Sequence, residues 1–186
     1  MSKKLSEMSL YELWRLFPIF LVKHKECWKE WYSEEKIILQ NSLSTVERIS
    51  HIGSTAIPLI YAKPIIDILV EIPKYNILRD YKNKIIKIGY ICMSESEEEV
   101  CFNKGYTENG FAERVFHLHL RQSGNNNELY FRDYLIEYSE VARKYEKLKL
   151  KLCKEYKYNR DAYTNAKTEF AKKYTSLAKS IYKDKY

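Results

Sequence analysis

The order of apolar and polar positions predicts a helix, then a mixed sheet, then a helical region. Ser9-Leu10-Tyr11-Glu12 carries the Ser/Glu spacing of a capping box and predicts a short helix ended by Pro18. Ile19 to Val22 reads as an edge strand or an extended arm, and Lys25 to Asn41 as a helix anchored by Trp28, Trp31 and Tyr32. Arg48 to Ile52 then alternates in the manner of a half-buried strand, broken by Gly53-Ser54-Thr55. Ile65 to Ile72 is almost wholly apolar, as expected of a central strand, and Pro73 closes it. Residues 75–88 read as a helix, and 89–93 and 99–103 as short strands. Glu113 to Arg121 is a further strand, with Arg114, Phe116, Leu118 and Leu120 on one face and Glu113, His117, His119 and Arg121 on the other.

A turn at Gly124 and residues 125–127 leads into helical spacing. Tyr134, Tyr138, Val141, Tyr145, Leu148 and Leu152 mark one amphipathic helix, and Tyr163, Ala166, Phe170, Tyr174, Leu177 and Ile181 a second. These tyrosine stripes read as core rather than as a base-stacking platform. The expected fold class is α+β, a mixed β-sheet flanked by helices with a C-terminal helical pair packed on it. The expected organisation is a single domain over residues 1–186, in which 1–125 hold the sheet-containing core with N-terminal helices and 126–186 the helical lobe.

Composition narrows the class. With 45% hydrophobic and 31% charged residues the chain is not of disordered type. The apolar run from Leu16 to Val22 is seven residues long and holds Pro18, against roughly 20 residues for a membrane span. Charged residues follow it at once, and no small-residue cleavage site does. Cys27, Cys92, Cys101 and Cys153 form no CxxC pair. The expectation is a cytoplasmic protein with reduced thiols and no membrane partner. Of the net charge of +7, residues 1–125 carry 17 basic against 16 acidic side chains, and residues 126–186 carry 15 against 9. The basic helical third would attract phosphate, nucleotide or nucleic acid, although lysines interleaved with glutamates also make an ordinary solvated face.

One spacing carries chemistry. Gly53-Ser54 is followed after twelve residues by Asp67 on the apolar strand. A Gly-Ser turn lets backbone N–H groups approach a phosphate closely, and a carboxylate on the next strand can hold Mg²⁺ against it. This resembles the arrangement of the DNA polymerase β-like nucleotidyltransferases. His51-Ile52-Gly53-Ser54-Thr55-Ala56-Ile57-Pro58 followed by Ala62-Lys63-Pro64-Ile65-Ile66-Asp67-Ile68 resembles the signature of the GrpB family. Glu12-Leu13-Trp14, Leu16 to Ile19, Lys104 to Thr107, Arg114 to Leu120, Phe131 to Leu135 and Tyr163 to Lys167 are similar to its other blocks, so the resemblance covers nearly the whole chain. It implies a nucleotidyltransferase-like fold without a settled activity. Rossmann and P-loop patterns are absent, and no Ser/His/Asp spacing is evident.

The chain departs from that pattern twice. Leu59 stands where the family usually has glycine, a strained choice unless the backbone there is ordinary. Leu69 stands where the second carboxylate of the polymerase-type pair belongs, and Glu71 on the same face is about 13 Å from Asp67 along the strand at ~3.3 Å per residue. His117 and His119 point the same way and suit a metal or a phosphate, with His51 as a possible third imidazole. The resulting expectations are Gly53, Ser54 and Thr55 on phosphate oxygens, and Asp67 on Mg²⁺ with Glu113, or with His117 and His119. Lys63 and Arg132 would neutralise charge on the transferring group, while Lys104 and Lys167 would line the same cleft. Arg114 would pair with an acid such as Asp133. Two functions compete: binding of a nucleotide or other phosphorylated ligand with Mg-dependent nucleotidyl transfer to an unknown acceptor, or a non-catalytic ligand-binding or protein-interaction module on a degenerate nucleotidyltransferase fold. RNA binding through the basic lobe is a third.

Overall fold

Five strands form one mixed sheet in the order β1-β2-β5-β4-β3 in the computed structural model, which describes residues 3–183, 185 and 186. The strands are β1 (Arg48–Ile52), β2 (Ile66–Ile72), β3 (Ile91–Glu95), β4 (Glu99–Thr107) and β5 (Gly110–Gln122). β2 runs antiparallel to β1 and parallel to β5, and the other pairs are antiparallel. The parallel pair needs a crossover, supplied by α3 (Leu78–Lys87) with β3 and β4. Before the sheet stand α1 (Leu10–Leu16) and α2 (Cys27–Ser42). Ser9 caps α1, accepting from Glu12 N at 3.3 Å while the Glu12 carboxylate accepts from Ser9 N at 2.7 Å. The Ile19–Val22 segment is an arm that meets the protein through a bridge from Val22 to Ala62.

Strand alternation gives the sheet two unlike faces. Ile66, Ile68, Val70 and Ile72 of β2 join Phe116, Leu118 and Leu120 of β5 in the main core, against Trp28 and Leu39 of α2 and Leu78 and Ile85 of α3. Of the aromatic anchors expected on α2, Trp28 is fully buried, while Trp31 and Tyr32 are partly buried against that core. The opposite face carries Asp67, Leu69 and Glu71 on β2 beside His117, His119 and Arg121 on β5.

Each long C-terminal stripe is broken once. The first forms α4 (Asn127–Glu137) and α5 (Ser139–Glu155), and the second forms α6 (Arg160–Asn165) and α7 (Thr168–Tyr182). Tyr138, with φ −104° and ψ 81°, turns the chain between α4 and α5, and its ring stacks on Tyr134 at 4.3 Å. The apolar spacing survives such a break, which hides it from periodicity. Of the stripe tyrosines, Tyr134, Tyr145 and Tyr163 are buried and Tyr138 and Tyr174 partly so, whereas Leu177 and Ile181 are exposed; Tyr130, Tyr134 and Tyr145 pack with Ala178 around Ile57 and Ile60 of the β1–β2 connection. Among the described residues no helix is long and apolar enough to cross a membrane.

Glu71 is fully buried and accepts from Arg48 Nε at 2.6 Å and from Asn126 Nδ2 at 3.2 Å. Removing Arg48 strands that carboxylate. Arg48→Ala is expected to cost about 3–5 kcal/mol in a urea melt, and Glu71→Gln less, because the freed arginine can rehydrate. Leu59 adopts φ 65° and is exposed, so the glycine-favouring conformation is filled by leucine. Leu59→Gly is expected to stabilise by up to about 1 kcal/mol, the left-handed penalty less the added entropy of the unfolded chain, again read in a urea melt.

Candidate functional site

The β1–β2 connection leaves the sheet at Gly53, whose φ of 69° suits glycine, and enters a short 3-10 turn, Ser54–Ala56. Asp67 lies directly behind it. A Cβ on Gly53 would stand 2.9 Å from Asp67 Cγ and 3.0 Å from Asp67 Cβ, and closer still to Oδ2. The turn and the carboxylate therefore converge because one of them has no side chain. Thr55 fastens the turn: its hydroxyl donates to Ile65 O at 3.1 Å and meets His51 Nε2 at 2.9 Å. With the hydroxyl proton committed to Ile65, the imidazole donates from Nε2. Burial holds the His51 pKa down at about 4, so the ring is neutral. His51 stacks on Tyr32 of α2 and lies on the core face of the sheet, which corrects its expected place beside His117.

In front of the turn is a polar cavity of about 250 Å³ lined by Ser54, Asp67 and His117 and by Lys63, Lys149, Arg160 and Lys167. Lys149 comes from α5, where its Nζ donates to Tyr61 O at 2.5 Å, and Glu146 one turn earlier accepts from Tyr61 N at 2.7 Å. Helix α5 thereby clamps the connection that carries Ser54 and Lys63. Arg160, the first residue of α6, donates to Tyr106 OH at 2.9 Å, and that hydroxyl meets His117 Nε2 at 2.7 Å. His117 Nδ1 is 3.3 Å from Asp67 Oδ1. With Nδ1–H directed at the carboxylate, Nε2 accepts from Tyr106 and Arg160, so the four side chains form one chain of polar contacts.

The electrostatics are lopsided. Burial, with Arg160 and Lys167 close by, pushes Lys63 down to about 7. Burial and the nearby Lys167 bring Lys149 to about 7, and burial brings Lys167 to about 8. Burial opposes ionisation of Asp67, yet the His117 contact and the surrounding positive charge hold its pKa below the usual carboxylate value. Burial also lowers His117, against the pull of Asp67.

Several expected site residues lie elsewhere. Glu113 is exposed on β5, four residues before His117, and lines a separate depression with Phe20 and Trp31. His119 Nδ1 meets Glu99 Oε1 at 2.9 Å and Cys101 Sγ at 3.6 Å, and among the described residues no cluster of three metal-ligand atoms includes Asp67. The expected Asp67–His117–His119 ligand set is thus split, because strand neighbours claim each histidine. Arg132 donates to His51 O at 2.9 Å and to Asp133, outside the cavity lining. Lys104 pairs with Glu35 on the core face at 2.8 Å. Arg114 pairs with Glu34 and lies over Trp31, whereas Asp133 takes Arg132, Lys185 and Tyr186. Ser54, Thr55, Lys63, Asp67, His117 and Lys167 do line the cavity and Gly53 abuts Asp67, but the Thr55 hydroxyl is turned to Ile65 O and His51 and so is not presented to a phosphate. Lys149 and Arg160 join them from α5 and α6, outside the sequence expectation. Lys149 was legible as a charge inside the Tyr145, Lys149, Leu152 face of α5, a place periodicity reserves for apolar residues; Arg160 carries no such signal.

The donors do not fit a pair of magnesium ions. Among the described lining residues Asp67 is the one carboxylate, it faces cationic side chains, and its i+2 neighbour Leu69 is fully buried.

A family model described as GrpB protein matches residues 18–177. The chain is 35% identical over 159 residues to glutamate-rich protein GrpB of Alkalihalophilus pseudofirmus, covering 82% of this chain and 91% of that one. It is 30% identical over 169 residues to UPF0157 protein YqkA of Bacillus subtilis, covering 89% of this chain but 48% of YqkA, so it spans about half of that relative. The crystal structure of GrpB from Enterococcus faecalis superposes with a TM-score of 0.76 at 30% identity, over 88% of this chain and 99% of that chain. The Cid1 poly(U) polymerase, in a mutant form bound to MgATP, superposes with a TM-score of 0.51 at 13% identity, over 78% of this chain and 45% of that chain. The fold is nucleotidyltransferase-like.

The depressed lysines make stability depend on pH. Each binds its proton more readily unfolded, near 10.5, than folded, near 7 to 8. The folded state is therefore penalised at low pH, and the penalty is relieved as pH rises through that window. Lys63→Met is expected to flatten this rise between about pH 7 and 10. Denaturant melts across that range check it, and a slope equal to that of the unmodified chain would contradict a depressed Lys63 in a cationic cluster.

Proposed function

The chain belongs to the GrpB family, and from that premise we propose that it binds the phosphate groups of a nucleotide or similar phosphorylated ligand in the cavity in front of Gly53. One observation carries the reading: Lys63, Lys149, Arg160 and Lys167 face one cavity in which Asp67 is the one carboxylate among the described residues. Cations clustered in one partly enclosed cavity, with Lys149 itself fully buried, are costly unless an anion joins them. Gly53 lets the turn pack directly on Asp67, Ser54 offers a hydroxyl, and the cations neutralise the phosphate oxygens.

At about 250 Å³ the cavity suits the phosphate end of a ligand, since whole small molecules occupy roughly 300–1,000 Å³. An adjoining groove of about 600 Å³ between α4 and α7 shares Thr164 and Lys167 with it and adds the rings of Phe131 and Tyr145, a place for the remainder. A nucleotide is the favoured class because the Cid1 relatives of like fold are described with bound MgATP and MgGTP. Asp67 orients His117, and through Tyr106 it fixes Arg160. No step is assigned to Mg²⁺, and the non-catalytic ligand-binding reading is the one the donor set supports.

The test is calorimetric titration of inorganic triphosphate, ATP and UTP with and without Mg²⁺. Metal-free triphosphate is expected to bind. Lys63→Ala and Lys149→Ala are each expected to weaken it by at least about 10-fold, the worth of one charge-assisted contact, while Asp67→Asn leaves it undiminished. Absence of binding would refute the proposal. Binding that requires Mg²⁺ and is lost in Asp67→Asn would return Asp67 to a metal role.

A further inference from the structure

A second cluster of chemically active side chains lies on the same sheet face, outside the phosphate cavity. Glu99 and Cys101 stand at i and i+2 on β4, so their side chains point the same way. Cys101 is directly across from His119 of β5, and Glu99 across from Arg121. Both side chains meet the same atom: His119 Nδ1 is 2.9 Å from Glu99 Oε1 and 3.6 Å from Cys101 Sγ. One ligand atom from each residue lies within 4.8 Å of the others, and all three residues are half-buried, within reach of an ion from solution. A carboxylate, a thiol and an imidazole nitrogen thus converge on one point.

We propose that Glu99, Cys101 and His119 form a site for a thiophilic divalent cation of the Zn²⁺ class, with water as the fourth ligand. Zn–N of ~2.0–2.1 Å and Zn–S of ~2.3 Å at a tetrahedral angle put nitrogen and sulfur ~3.6 Å apart, the separation found between His119 and Cys101. The same geometry asks ~3.4 Å between nitrogen and carboxylate oxygen, so Glu99 must open from 2.9 Å by a small side-chain rotation. The charges balance: thiolate and carboxylate match the dication, the imidazole ligates neutral, and the protons held by sulfur and Nδ1 leave to solvent. Arg121 does not displace the ion, because its guanidinium is held by both oxygens of Glu128 at 2.9 and 3.0 Å. Its Nε donates to Glu99 at 2.8 Å and so orients that ligand from outside the metal shell. A sulfur donor selects Zn²⁺ or Co²⁺ over Mg²⁺ or Ca²⁺. Three protein donors with an open position are the pattern of reactive zinc sites rather than closed structural ones.

The full chain, stripped of metal by chelator dialysis, is titrated with Co²⁺ and then with Zn²⁺ in competition. One equivalent of Co²⁺ is expected to raise a thiolate-to-cobalt absorption band, and one equivalent of Zn²⁺ to abolish it. Cys101→Ser removes the band. Cys101→Ser and His119→Gln each weaken Zn²⁺ by more than about 100-fold, beyond the ~10–100-fold of an outer-shell loss. Cys92→Ser leaves band and affinity unchanged. Circular dichroism checks folding, and Glu99→Gln stands in for any variant that fails. No band in the unmodified chain, a band retained in Cys101→Ser, or a band lost in Cys92→Ser would each overturn the site.

Discussion

The contact between the Asp67 carboxylate and the bare Cα of Gly53 sets the geometry of the whole polar face. No side chain fits between them, so the chain leaving β1 must pass close over β2 before it turns. That path brings Ile57 and Ile60 against the tyrosines of the C-terminal helices, where they join the second core. It also places the Tyr61 peptide against α5, where Glu146 accepts from its N–H and Lys149 donates to its carbonyl. The sheet and the helical region are therefore tied by one connection whose course starts at a glycine.

Much of this was readable in the sequence because it is local. Strand alternation, the apolar character of β2 and the capping box at Ser9 each follow from neighbouring residues, and the Gly-Ser-to-Asp spacing needs only the two strands that flank the turn. What stayed hidden depends on register between distant strands. His117 and His119 are equivalent in sequence terms, both outward on β5. Yet the first is paired with Asp67 of β2 and the second lies beside Cys101 of β4, which divides them between two sites. Glu113 shares their alternation but sits beyond the irregularity in the β4–β5 pairing at Lys104 and Tyr106 and faces outward. His51 shows the converse: it precedes Gly53 by two residues, and the pleat sends its ring to the other face.

The treatment of charge on the polar face separates structure from function. Glu71 meets a cation at close range, Arg48 Nε at 2.6 Å, and accepts from Asn126 Nδ2 at 3.2 Å. Such pairing is what a buried charge requires if it serves only the fold. A few residues away the rule lapses. Lys149 donates to a peptide carbonyl and Arg160 to a phenol, and Lys63 and Lys167 lie over the ring of Tyr163, at 5.4 and 4.3 Å. Neutral oxygens and ring faces orient a cation without cancelling its charge. The depressed lysine values express that deficit. On the proposed reading an arriving polyanion would supply the missing negative charge and return these lysines to their protonated form, so that binding would draw protons from solution near neutral pH. A cavity walled by hydrophobic side chains would need none of this. Cations held in place by neutral groups, with Asp67 as the one carboxylate among the described residues of their cavity, are the arrangement on which the proposed anion binding rests.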